Sequence, residues 1–331
     1  MGKFSTLRDL LGLIKDAVAL SKAAILSNPN ALTLRLAVLR ATTHSPPTPP
    51  DNHHLSALLL LGDSSRATAS IIITALIDRL HCTGNCVVTL KCLLIIHNII
   101  KRGPFILQDQ LSIFPATGGY NYLKLSDFRD GATAATWALS QWVRFYGRYL
   151  ETLLSTSRDM GYFLCSSSCT MVTENQEQRI LSLLNVDLIK DVDSLIQLIE
   201  ELCKVPDFIL IEGNIIVKDI IRLLLNDYVS VVNEIALRLY ELKERLSCLS
   251  FGDSVELLCA LKRLEDCKES ILSLYVMRKP AIELMWSLVQ DLKEGIGKLH
   301  VCKNGEKLVS FDRRMKGSES ARFVRESLQD W

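Results

Sequence analysis

Five side chains within one short stretch have the chemistry of an anion site: Arg40, Thr43, His44, His53 and His54, in RATTHSPPTPPDNHHL from Arg40 to Leu55. Arg40 and the Thr-Thr-His tripeptide close one expected helix. A stiff proline loop follows, and a second helix opens at Asp51, Asn52, His53 and His54. Unpaired backbone N–H groups at a helix start, with cationic side chains beside them, attract phosphate. Lys101 and Arg102, at the end of a later helix, are further bases that could widen the patch. So is the row Arg8, Lys15 and Lys22, although Asp9 and Asp16 sit beside it. The charge of the main stretch is low for its apparent task. Asp51 is acidic, and an unperturbed histidine, with a pKa of ~6.5, is mostly neutral at neutral pH.

Composition narrows the function classes. The net charge of the 331 residues is +1, so no global field selects nucleic acid, and any polyanion site must be local. Aromatic content of 7% argues against base-stacking platforms. No apolar run reaches the roughly 18–20 residues of a spanning helix. The ten cysteines are scattered and lack zinc-type spacing, so no metal and no cofactor are expected. No catalytic set emerges either. His97 reads as a core histidine bonded to a neighbour, and Asp127 and Asp130 read as helix caps or arginine partners. The chain is therefore expected not to be an enzyme.

The elements that must position these residues are helical throughout. Leu7, Leu10, Leu11, Ile14 and Val18 follow the spacing of one buried helix face. Asn28-Pro29 breaks that helix, and a short apolar helix runs from Ala31 to Arg40. Asp51 is the expected N-cap of a helix through Leu61. Gly62-Asp63-Ser64 separates it from a helix over Ser65–Leu80. Cys86 to Ile100 is apolar nearly all round and predicts a central, buried helix stopped by Gly103-Pro104. A long connection over 115–131 and a helix over Ala132–Leu154 follow. Residues 155–175, rich in Ser, Thr and Cys, read as a linker. Longer amphipathic helices are expected over 177–203, 213–248, 252–277 and 280–299, with a polar tail from 301 to 331. The fold class is all-α, an α-solenoid joined to a helical bundle. The parts are a superhelical segment over 1–155, a linker over 156–176, a long-helix bundle over 177–300 and the tail over 301–331.

Three segments resemble the ANTH-domain proteins, the clathrin-assembly adaptors that bind phosphoinositides, and most closely the plant members. RATTH at 40–44, with HH at 53–54, resembles the family's KATTH…KxKH signature. LKCLLIIHNIIKRG at 90–103 resembles its LKxLxxIHxLLxxG helix, and 123–154 resembles its LxLSxFxD…FVRxYxxYLxxRL stretch. The resemblance implies a right-handed α-α superhelix of short helices followed by a long-helix bundle. It implies phosphatidylinositol 4,5-bisphosphate, or a related phosphoinositide, held by exposed bases. The signature positions fall on Arg40, Asp51, His53 and His54, with Thr43, His44, Lys101 and Arg102 as weaker contributors. It also implies clathrin and SNARE cargo helices as partners and a peripheral place on clathrin-coated pits and vesicles, at Golgi, endosomal or plasma membrane.

Two short motifs add to this. Met1 to Thr6 fits the N-myristoylation pattern at Gly2. Leu183-Leu184-Asn185-Val186-Asp187 fits a clathrin-box peptide, but its place in an amphipathic stretch reads as core packing. The alternative reading of the whole chain is a diverged α-superhelical protein-interaction module with little or no lipid binding.

Overall fold

The computed structural model describes residues 2–26, 29–113, 122–166, 173–207, 213–270 and 282–298, and these are helical with no strand among them. The first six helices are α1 (Gly2–Leu26), α2 (Pro29–Ala41), α3 (Asn52–Gly62), α4 (Arg66–Cys82), α5 (Cys86–Arg102) and α6 (Phe105–Ile113). The longer ones follow: α7 (Ala134–Met160), α8 (Thr173–Ser182), α9 (Asn185–Leu202), α10 (Ile215–Glu244), α11 (Phe251–Asp266) and α12 (282–298). The short helices pack as successive layers, α2 on α4 and α4 on α6, while α9 is the hub of the long ones, touching α7, α10 and α11.

Local chemistry sets most boundaries. Asp51 caps α3 by accepting from the His53 N–H at 2.7 Å. Ser65, one residue beyond the expected Gly62-Asp63-Ser64 break, caps α4 through a reciprocal pair with Thr68. Asn85 caps α5, and Gly161, at φ +71°, ends α7 in the left-handed conformation that suits glycine. The apolar length of α5 is buried on all sides from Val88 to Ile100, each large aliphatic contributing about 1.5–3 kcal/mol.

Several expectations are corrected. The row Leu7, Leu10, Leu11, Ile14 and Val18 is not a buried face: each of the five is more than half exposed. Gly12 and Asp16 turn inward instead. The short helix α6 has no counterpart in the sequence reading. The expected linker at 156–176 begins inside α7, which runs to Met160, and Leu164 lies in the core. The helix expected over 177–203 is two helices, broken at Leu183-Leu184, and α11 ends at Asp266. Leu184 and Val186 are exposed, so LLNVD is not core; only Leu183 packs inward. The 301–331 tail lies outside the described residues.

Superhelix and bundle meet on a buried carboxylate. Asp227 of α10 is fully buried and accepts from His97 Nε2 at 2.6 Å, Lys101 Nζ at 2.5 Å and the Tyr149 hydroxyl at 2.8 Å. The other imidazole nitrogen of His97 meets the Tyr146 hydroxyl at 2.7 Å. Burial pushes the Asp227 carboxyl up, but the His97 and Lys101 groups outweigh it and hold it below the usual carboxylate range. A carboxylate depressed in this way contributes stability above its unfolded pKa and loses it as the pH falls through the native value. Asp227→Asn is expected to cost about 3–5 kcal/mol in urea unfolding at neutral pH. The gap from wild type should narrow as the medium is acidified; a gap that widens would contradict the assignment.

Candidate phosphate site

The stretch from Arg40 to His54 runs from the last turn of α2, through the proline loop, to the first turn of α3. Arg40 is exposed at the end of α2, and among the described residues no hydrogen bond or ion pair to it is found. His53 is exposed and His54 half-buried, their rings 5.7 Å apart and edge to face. These three side chains are brought to one loop and its two flanking helix ends. The Asp51 carboxylate already takes the His53 N–H, so part of the helix start that would face a phosphate is satisfied from within.

The middle of the loop looks inward. Thr42 is buried, its hydroxyl donating to Val38 O at 2.7 Å. His44 bonds Asp16 of α1 twice, by its backbone N–H to Oδ2 at 2.9 Å and by Nδ1 to Oδ1 at 2.6 Å. Arg79 of α4 donates to the same Oδ1 at 2.8 Å and to Thr42 O at 3.1 Å. Burial pulls the His44 imidazole below the ordinary histidine range, against the pull of the Asp16 carboxylate. Lys91 of α5 reaches up from below and donates to Thr43 O at 3.0 Å and to Pro46 O at 2.9 Å. Its removal from water pulls its pKa down to about 8.

The predicted residues therefore divide. Arg40, His53 and His54 remain at the surface. Thr43 and His44 are tied to Lys91 and Asp16. Lys101 is committed to Asp227, and lies ten residues along α5 from Lys91, about 15 Å. Arg102 is exposed at that same far end. Lys15 and Lys22 are exposed on α1, while Asp16 is turned inward and does not oppose them.

Sequence reading missed the residues that hold the loop: Gly12, Asp16, Arg79 and Lys91. A lone lysine inside the all-apolar run of α5 was the available signal. Gly12 is required for space. A Cβ there would lie 2.8 Å from His44 Cβ, a distance that real Cβ contacts do not show. Gly12→Ala should therefore destabilise by about 1–3 kcal/mol, although the same change in an open helix gains up to about 1 kcal/mol. Asp16→Ala should cost about 2 kcal/mol. Both are read by thermal unfolding, with faster amide exchange at His44 as the local marker. An unchanged melting temperature in both variants would refute the clamp.

The chain matches the ANTH domain over residues 33–279. It is 49% identical over 331 residues to an Arabidopsis thaliana protein named "Putative clathrin assembly protein At4g40080", covering 98% of this chain and 91% of that one. The similarly named At5g10410, also from Arabidopsis thaliana, is 30% identical over 293 residues, 86% of this chain and 84% of its own. At5g65370, of the same name and organism, is 28% identical over 305 residues, 89% of this chain and 100% of its own.

Proposed function

Because the chain belongs to the ANTH domain family, we propose that it is a peripheral membrane adaptor that assists clathrin-coat assembly. The observation that supports this most is on α1. Its apolar row Leu7, Leu11, Ile14, Val18 and Ile25 is exposed and flanked by Lys15 and Lys22. A helix with one apolar face and flanking lysines lies in a bilayer interface, attracted by anionic lipid. No described helix is long and apolar enough to cross a membrane. The phosphoinositide contact falls to Arg40, His53 and His54, a weak set that needs a second anchor. The α1 face supplies that anchor, and an acyl chain on Gly2 would add to it.

Clathrin enters this proposal through the names of the relatives. The exposed Leu184 and Val186 offer it a contact, although α9 begins at Asn185 and leaves the LLNVD peptide only partly extended. SNARE cargo helices are assigned to the long helices on the family resemblance, the apolar stripes of α9 and α10 being largely taken up by the core. The place of action is then clathrin-coated pits and vesicles. The alternative, an interaction module without lipid binding, is favoured by one observation: Asp51, His44 and Lys101 are all engaged within the protein.

Liposome sedimentation separates the two. Wild type should bind vesicles containing phosphatidylinositol 4,5-bisphosphate more than vesicles without it. The Arg40→Ala, His53→Ala, His54→Ala triple variant should lose that increment, and Leu11→Glu, Ile14→Glu should lose residual binding as well. Equal sedimentation of every protein with every vesicle would overturn the lipid reading in favour of the interaction module.

A further inference from the structure

A cleft of about 520 Å³ lies between α7 and α9, closed at one side by the segment that begins at Tyr122. Its long wall is one stripe of α7, with Arg144, Arg148, Glu151, Ser155 and Arg158 recurring every three or four residues. The fourteen residue-to-residue rises from Arg144 to Arg158 make this wall about 21 Å long. The volume falls within the range of ligand pockets, roughly 300–1,000 Å³. Leu125 and Phe145 contribute an apolar floor, and Lys204 stands on the opposite wall.

The charge is unbalanced. Four cations, Arg144, Arg148, Arg158 and Lys204, face two carboxylates, Glu151 and Glu201. Glu151 is turned to the backbone N–H of Leu123 at 2.7 Å. Arg148 Nε and Lys204 Nζ share a single oxygen of Glu201, at 3.2 and 2.7 Å. Both cations are more than half exposed, and the terminal guanidinium nitrogens of Arg148 have no partner among the described residues. One carboxylate oxygen thus holds two cations, and an open fork suited to a second carboxylate remains.

We propose that this cleft binds an acidic linear segment of a partner protein. One carboxylate of the segment would sit on Arg148 and Lys204, and an apolar side chain on Leu125 and Phe145. Its cations are strung along about 21 Å of helix rather than gathered on one point, which suits an extended chain better than a single phosphate. Residues 299–331 of this chain carry seven Lys and Arg against five Asp and Glu, the wrong sign for that occupant. The site is separate from the loop at 40–54 and does not depend on lipid binding there.

The test is fluorescence anisotropy on the full chain, with a labelled dodecapeptide rich in Asp and Glu that carries two Leu. The same peptide with Asn and Gln in place of the acids is the control. The acidic peptide should bind and the amide peptide should not. Arg148→Gln should weaken binding about tenfold. Glu201→Gln removes the competing carboxylate and should tighten it about threefold. Opposite signs at neighbouring residues would not arise from a general loss of structure, and circular dichroism melts check that both variants fold. Equal binding of the two peptides, or weakening by both variants, would overturn the proposal. So would binding of inositol hexakisphosphate or phosphoinositide vesicles at this cleft without binding of the peptide.

Discussion

Asp227 is a charge held wholly out of water, and its demand for donors governs how three helices meet. A carboxylate in that position is tolerable only if it is fully hydrogen-bonded. His97 and Lys101 come from α5, Tyr149 from α7 and the acid itself from α10. The superhelix and the bundle are therefore not two bodies touching through interchangeable aliphatics. One specific set of partners defines the junction, and a slip of α10 along α5 would leave the charge unpaired. α9 packs on both α7 and α10, the two helices that the network ties to α5.

The loop at 40–54 follows the same logic on a smaller scale. Its outer residues are free because its inner ones are held. Asp16, Arg79 and Lys91 reach it from three different helices, and each satisfies a backbone group or side chain of the loop that would otherwise need water. A base in such a signature can thus have either of two jobs. Arg40 faces solvent, whereas Lys91, a few ångströms below the same loop, serves as its internal prop.

Most of the helices, though not α6 or the break between α8 and α9, were legible in the sequence, because caps such as Asp51 and breakers such as Gly103-Pro104 act locally. The all-buried character of α5 was equally plain from its unbroken apolar run. What sequence periodicity could not tell was which side of an amphipathic helix faces the protein. On α1 the apolar row points outward and the polar residue Asp16 points in, because Gly12 alone allows the loop to approach and His44 needs an acceptor there. The site was legible as a list of bases but not as a division between exposed and engaged ones. Lys101 and Arg102 are equivalent as neighbouring bases in the sequence, and only the ion pair with Asp227 sets Lys101 apart. Such pairings join residues more than a hundred positions apart, and no local spacing encodes them.

The close approach of His44 to Gly12 has a mechanical side. Two hydrogen bonds to Asp16 and a contact that leaves no room for a methyl group make helix and loop a single stiff lever. Because Arg79 bonds both Asp16 and the loop, and Lys91 bonds the loop from α5, a tilt of α1 must either break these bonds or carry the loop with it. The first helix is then less an appendage than a handle by which force applied outside reaches the core.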